Sequence, residues 1–255
     1  MKRRETGIVT EYAQLTDDIF RLVVRCEAAM SAVPGQFCNL YMKDSGHLLP
    51  RPISICHIDT KASELTFVYR VVGEGTKAFS KLDTGATIDL LGPLGNGFTQ
   101  VEATHPVLVG GGVGVPPMLG LAQAMEGKCT VVLGYRTAET FLLEEFEKTG
   151  ATVVIATDDG SLGTHGTVVD AIRENDIDLD VIYSCGPKPM LRALKALAEE
   201  KNIPCYVSME ERMACGVGAC LGCVCETKDV DDHSKVHNKR ICKDGPVFEA
   251  REVIL

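Results

Sequence analysis

The sequence lacks most of the features that would assign it quickly. It has no Lys/Arg stripe: 35 acidic residues stand against 26 basic ones, for a net charge of −9. That balance argues against nucleic acid as a partner. Internal repeats and low-complexity tracts are missing. No paired carboxylate or His constellation suggests general acid–base chemistry. The start, Met1 to Thr6, is basic but runs into alternating residues and not into an apolar h-region, so no signal peptide is expected. A charge-free run from Pro106 to Met125 has the length of a membrane span. Its glycines and prolines would break a helix near the start, so it reads as buried strand, turn and helix, with no membrane expected. The eleven cysteines are an odd count without an export signal, which argues against a disulfide framework. Reduced thiols and no export signal lead to a cytoplasmic expectation.

What is present is organised around Arg212–Cys225. Cys215, Cys220 and Cys223 have the spacing C-x4-C-x2-C, and Cys242 follows after a polar loop. This is the plant-type spacing for a [2Fe–2S] cluster. Three thiolates from one tight loop need residues that tolerate positive φ, and Gly216, Gly218 and Gly222 are expected to supply it. Such turns can aim backbone N–H groups at the sulfurs. Zinc is the competing reading, but its sites normally pair one C-x2-C with a second Cys or His pair. Here the nearby His233 and His237 sit in a charged loop. Cys225 rivals Cys242 as fourth ligand; on an extended chain it would point away from Cys223.

The length of 255 residues allows two or three small domains. Residues 1–99 carry six short β runs: Thr6–Leu15, Ile19–Arg25, Gln36–Met42, Pro52–His57, Glu64–Val72 and Thr87–Leu91. Turn signals such as Pro34-Gly35, Asp44-Ser45-Gly46 and Asp83-Thr84-Gly85 part them, and a helical piece is expected at Thr76–Leu82. The pattern suggests a small antiparallel barrel. From 100 to 208, strands (107–109, 130–134, 152–156, 181–185, 205–208) alternate with helices (from Pro116, Phe141–Lys148, Val168–Glu174, Pro189–Lys201). That rhythm implies an α/β domain with a parallel sheet. Residues 209–255, Cys-rich and then charged, fit neither class.

Four short motifs carry chemistry. Arg51-Pro52-Ile53-Ser54 puts a fixed Arg and a hydroxyl on one strand, suited to a phosphate and a flavin, though any surface strand can carry both types. Val68-Tyr69-Arg70 leads to Gly73-Glu74-Gly75-Thr76, where Gly permits close approach of phosphate; an ordinary strand-to-helix turn would look the same. Gly110, Gly111, Gly112 and Gly114 form a Gly-rich loop between strand and helix, the context of nucleotide binding. It ends in Pro116-Pro117, unlike the dehydrogenase fingerprint, so that family's ribose-binding acid is not assumed. Ser184-Cys185-Gly186-Pro187 lies at the carboxyl end of a strand, where such sheets bind ligands. A buried structural Cys is the alternative for Cys185.

In this order, the motifs over residues 1–208 resemble the ferredoxin–NADP reductase superfamily. With Met213-Ala214-Cys215-Gly216-Val217-Gly218-Ala219-Cys220 added, the chain resembles the electron-transfer subunits of NAD-dependent (class 1B) dihydroorotate dehydrogenases. The resemblance implies FAD in the barrel, contacted by Arg51, Pro52, Ile53, Ser54, Val68, Tyr69, Arg70, Gly75 and Thr76. It implies NAD on the 110–116 loop, with Cys185 near the nicotinamide, and [2Fe–2S] on Cys215, Cys220, Cys223 and Cys242. Asp244 to Phe248 follows Cys242 as in that family, while the 18-residue gap between Cys223 and Cys242 is longer than usual there. The implied partner is an FMN-containing dihydroorotate dehydrogenase catalytic subunit in a 2+2 heterotetramer. Electrons would pass from its FMN through [2Fe–2S] and FAD to NAD+ during pyrimidine (UMP) biosynthesis. A reductase subunit of a hydrogenase, sulfite reductase or ferredoxin-dependent complex would share these cofactors. A non-catalytic adaptor, zinc-stabilised or redox-sensing, would lack them.

Overall fold

The computed structural model describes residues 2–42, 48–230 and 235–255. The expected turn at Asp44-Ser45-Gly46 and His233 lie outside them.

Six antiparallel strands close the N-terminal barrel. They are β1 (Arg3–Gln14), β2 (Ile19–Arg25), β3 (Phe37–Tyr41), β4 (Arg51–Asp59), β5 (Glu64–Arg70) and β6 (Thr87–Leu94). Their order is β1-β2-β5-β4-β3-β6, with β6 pairing back to β1. Closure removes the sheet edges. The turn glycines Gly35 and Gly85 have φ of 95° and 90°, which explains their place between strands. A short helix α1 (Glu74–Phe79) precedes β6 and begins two residues before the expected Thr76.

The second half is a parallel sheet of β7 (Pro106–Gly111), β8 (Thr130–Tyr135), β9 (Thr152–Thr157), β10 (Thr164–His165), β11 (Val181–Cys185) and β12 (Cys205–Ser208). Its helices are α2 (Val115–Ala124), α3 (Leu143–Glu147), α4 (Val168–Glu174) and α5 (Lys188–Lys201). Helix α2 is buried on every side from Val115 to Ala122 because the sheet covers one face and β4 the other. That double cover explains the charge-free run: a helix without a wet face has no use for charge. No helix among the described residues is long and apolar enough to cross a membrane. Gly120 lets α2 approach the barrel, since a Cβ there would lie 2.8 Å from the Cys56 carbonyl oxygen. His57 Nδ1 meets Gln123 Oε1 at 2.5 Å across the same seam.

Helix α3 and the C-terminal stretch also go beyond expectation. Helix α3 starts at Leu143 and not at Phe141, because Leu142 is left-handed (φ 64°) and the Tyr135 hydroxyl donates to the Phe141 carbonyl (2.8 Å). The C-terminal stretch contributes β13 (Val224–Glu226), β14 (Asn238–Arg240), α6 (Ile241–Asp244) and β15 (Val247–Glu249). Strands β13 and β14 pair with each other, and β15 joins β12 antiparallel as the edge of the large sheet. The short β10 pairs with β9 at the opposite edge.

Candidate functional site

A cleft of about 1920 Å³ opens where the barrel faces the carboxyl ends of the parallel strands. Such sheets take ligands at that end. Arg51, Pro52, Ile53 and Ser54 from β4, Val68, Tyr69 and Arg70 from β5, and Thr76 from α1 form one wall. Gly111, Gly112, Gly114 and Cys185 form the other. Residues far apart in the chain thus converge, with two differences. Gly110 is not in the wall; it lies in β7, where a Cβ would meet the Val115 Cα at 2.8 Å, so it makes room for α2. Gly75 stands behind the wall and supports it: a Cβ there would fall on the Arg51 guanidinium.

The barrel wall is fixed by local hydrogen bonds. Arg51 Nη1 donates to the Leu49 carbonyl (2.6 Å), which holds the head group over Gly75. Thr76 Oγ1 accepts from the Val72 and Gly73 amides (3.0 and 3.2 Å) and donates to the Gly73 carbonyl, so it builds the turn. Arg70 Nε lies 3.0 Å from Asp18 Oδ2 but forms no directed hydrogen bond there. The Tyr69 ring packs edge-on against Phe79 with centroids 5.9 Å apart. Burial pushes the Tyr69 phenol above its ordinary value, so it stays a neutral donor. Its hydroxyl is buried without a protein hydrogen-bond partner. A buried orphan donor lining a cleft is what a bound polar ligand would satisfy.

Two loops meet on the opposite wall. Gly112 is left-handed (φ 54°) and a Cβ there would meet nothing within 4 Å. Gly114 is the reverse: a Cβ would fall on the Cys185 carbonyl and within 2.7 Å of the Gly186 nitrogen. Burial pushes the Cys185 thiol up to about 12, so it remains protonated and is no thiolate nucleophile. Arg136, Asp158, Glu210 and Met213 also line the cleft. Of these only Arg136, following a strand end, is suggested by sequence position.

Met213 leads directly into the cysteine loop. Each of the four sulfurs there accepts at least one backbone N–H. Cys215 Sγ accepts from Val217, Ala219 and Cys220 (3.4, 3.3 and 3.4 Å). Cys242 Sγ accepts from Gly218 (3.1 Å), Cys220 Sγ from Gly222 (3.4 Å), and Cys223 Sγ from Cys242 (3.4 Å). Burial by itself raises the Cys215 thiol, but the Val217, Cys220 and Ala219 amides outweigh it and lower it to about 6. The Cys242 thiol is pushed up to about 12, first by burial and then by the neighbouring Cys223. Among the described residues no three His, Cys, Asp or Glu side chains gather as a single-ion site. Each of these sulfurs is solvated by backbone amides, an environment that suits thiolates of an iron–sulfur cluster.

The winding differs from expectation at one point. Gly216 and Gly218 have positive φ (69° and 85°), but the third left-handed residue is Leu221 (φ 56°) and not Gly222. Arg240 and Asp244 brace the loop: Nε and Nη2 contact the carboxylate at 2.9 and 3.2 Å, and Nη1 reaches the Gly218 carbonyl at 3.4 Å. Cys225 lies on β13, buried, and donates to the Lys239 carbonyl (3.5 Å). Cys220 is exposed, as are Val217 and Leu221 beside it.

Comparison with known proteins agrees with this division of labour. Residues 7–98 match an oxidoreductase FAD-binding domain, 108–196 an oxidoreductase NAD-binding domain, and 210–254 the iron–sulfur cluster binding domain of dihydroorotate dehydrogenase B. The chain thus carries domains for FAD, for NAD and for a [2Fe–2S] cluster. A dihydroorotate dehydrogenase B (NAD(+)) electron transfer subunit of Listeria monocytogenes is 46% identical over 97% of both chains. The Bacillus caldolyticus protein of that name is 49% identical over 87% of both. Among solved structures, an NADH-dependent reduced ferredoxin–NADP oxidoreductase studied for flavin-based electron bifurcation superposes with a TM-score of 0.85. It is 28% identical, over 97% of this chain and 89% of that one. The ferredoxin reductase of carbazole 1,9a-dioxygenase (TM-score 0.67, 22% identical, 80% of this chain and 67% of that one) shares the fold. Since likeness at this level runs nearly end to end and includes the cysteine loop, the chain belongs to the family of dihydroorotate dehydrogenase B electron transfer subunits.

Proposed function

We propose that this chain takes electrons from an FMN-containing, dihydroorotate-oxidising partner subunit and delivers them to NAD+, in a cytoplasmic 2+2 heterotetramer serving pyrimidine biosynthesis. One observation carries the reading. Met213 lines the cleft and Cys215 follows two residues on, so the cysteine loop starts on the cleft wall. A port for single electrons thus adjoins a site for flavin and nicotinamide.

In this reading the FAD-binding unit is 1–99, the NAD-binding unit 100–208 and the cluster-binding unit 209–255. Arg51 would hold the FAD pyrophosphate, with Gly75 giving it space and Thr76 shaping the turn. Pro52, Ile53, Ser54, Val68, Tyr69 and Arg70 would border the flavin, and the orphan Tyr69 hydroxyl would gain a partner. Gly111, Gly112 and Gly114 would admit the nicotinamide nucleotide, Gly110 acting beneath them, and the neutral Cys185 thiol would sit at its reactive end. Cys215, Cys220, Cys223 and Cys242 would bind the two irons, while Cys225 keeps to its strand. When bound, the cluster exchanges one electron at a time, and FAD joins that traffic to the two-electron hydride chemistry of NAD. The protein's own part is to exclude water, hold these groups and solvate the sulfurs with amides.

Replacing Arg51 by Ala should weaken FAD retention by about 1.5–3 kcal/mol, the loss of a charge-assisted contact. Flavin content after gel filtration measures it, and full occupancy in dilute solution would refute the contact. The decisive test of function is co-expression with a dihydroorotate dehydrogenase catalytic subunit. The purified complex should reduce NAD+ with dihydroorotate, and the chain alone should oxidise NADH only with artificial acceptors. The likeness to the bifurcating oxidoreductase supports a second reading, a reductase subunit serving ferredoxin. Activity with reduced ferredoxin and none with dihydroorotate in the complex would favour it.

A further inference from the structure

One side chain outside every motif stands between the barrel and the cysteine loop. Asn39 lies mid-strand in β3, opposite Pro52 of β4, and is completely buried. Its neighbours Phe37, Cys38 and Leu40 are apolar and buried too. Its Nδ2 donates to the Cys215 carbonyl at 3.0 Å, across 176 residues of sequence. Gly216 accommodates it: a Cβ at Gly216 would fall on the Asn39 amide nitrogen and lie 2.9 Å from Oδ1. The Asn39 Oδ1 has no hydrogen-bond partner.

A buried amide with one half unpaired costs stability, and an apolar side chain would fill the position without that cost. A polar residue here therefore needs a task. The bond to the Cys215 carbonyl fixes which half of the amide faces the loop, because only the NH2 side can donate to it. The strand opposite carries Arg51 to Ser54. Asn39 is thus the direct link between the strand pair that would hold the flavin and the first cysteine of the loop.

We propose that Asn39 is a positioning residue that fixes the Cys215 arm of the cluster against the flavin barrel. This rests on the reading of Cys215 as a cluster ligand. Its bond holds the carbonyl of the ligand residue itself, so its loss shifts that ligand relative to the flavin strand. Outer contacts of this kind typically change metal-site properties or activity by about 10–100-fold when removed.

The test uses the full-length, cofactor-loaded protein with Asn39→Ala and Asn39→Asp. Asp keeps the volume but, when ionised, turns the donor into an acceptor facing a carbonyl. Flavin and iron content, the EPR spectrum of the dithionite-reduced cluster, and the rate of cluster reduction by NADH are read in each. Expected are full flavin content, altered EPR g-values, and cluster reduction slowed by about tenfold or more, more strongly in Asn39→Asp. Loss of iron with flavin retained supports the proposal as well. An unchanged spectrum and rate in both variants overturns it. Loss of flavin from both also overturns it, since the role would then lie in the barrel alone. If only Asn39→Ala loses flavin, the volume-preserving Asn39→Asp decides by the same readings. Cys215→Ser, measured in parallel, separates the two layers of argument. Its retaining the unsubstituted EPR spectrum refutes Cys215 as ligand whatever Asn39 does. A changed Cys215→Ser with silent Asn39 variants refutes only the positioning role.

Discussion

Cys220→Ala should abolish the cluster's visible absorbance and all dihydroorotate-driven NAD+ reduction while leaving the flavin in place. The reason lies in how little else the side chain does. Cys220 is exposed, so its truncation removes almost no packing, and surface changes of this kind usually stay within about 0.5 kcal/mol of neutral. Its backbone N–H, which donates to Cys215 Sγ, survives the substitution. The loop loses the Gly222 N–H contact to this sulfur together with the proposed ligand, and keeps its other amide bonds to Cys215 and Cys242. Cys223→Ala should bleach the cluster equally but also lower thermal stability, because Cys223 is 1% exposed and packs with Ile241 and Phe248 in the core. Cys225→Ala is the control: its thiol serves the Lys239 carbonyl, so the cluster should persist. NADH oxidation with artificial acceptors should continue in all three. Retained absorbance in Cys220→Ala, or bleaching in Cys225→Ala alone, would sink this ligand assignment.

The legible parts of the site are those where chemistry demands a residue type at a fixed spacing. Three thiolates on one loop need short intervals, and a nucleotide loop needs glycines between strand and helix. Alternation of strand and helix likewise made the parallel sheet readable, and turn punctuation the barrel. Gly110 and Gly114 look alike in the sequence, yet one makes room for α2 and the other for the loop after β11. Only the packed structure separates these tasks. The late start of α3 depends on a Tyr135 hydroxyl that takes the Phe141 carbonyl, a contact no helical period contains. Strand β15 has three residues and exists because the edge of β12 is there to receive it. Asn39 is the extreme case. Nothing in Phe37-Cys38-Asn39-Leu40-Tyr41 marks the amide, since its meaning comes from a carbonyl brought to it by the whole fold.

That distinction between similar glycines makes Gly114→Ala the second large expected effect. Gly114 has φ −83° and ψ −9°, which alanine adopts freely, so no backbone strain arises. Gly114 is the N-cap of α2, a position where Gly is preferred to Ala, so helix propensity offers no gain. The new Cβ would fall on the Cys185 carbonyl and within 2.7 Å of the Gly186 nitrogen. Both obstacles are main chain held by β11, which lies between β7 and β12, and neither can rotate aside. Overpacking of this kind costs about 1–3 kcal/mol, and nothing at the cap offsets it. The two loops must separate, and they are the walls that would clasp the nicotinamide. A misplacement of about 1 Å can cost on the order of 100-fold, so kcat/KM for NADH should fall 10- to 100-fold. FAD content should be unchanged, because the clash falls on Cys185 and Gly186 and not on the barrel wall. Gly112→Ala supplies the contrast. Its Cβ meets nothing within 4 Å, so it bears only the left-handed backbone penalty of about 1–2 kcal/mol. A Gly114→Ala protein with unsubstituted NADH kinetics would mean that the contact between these loops does not shape the nucleotide site.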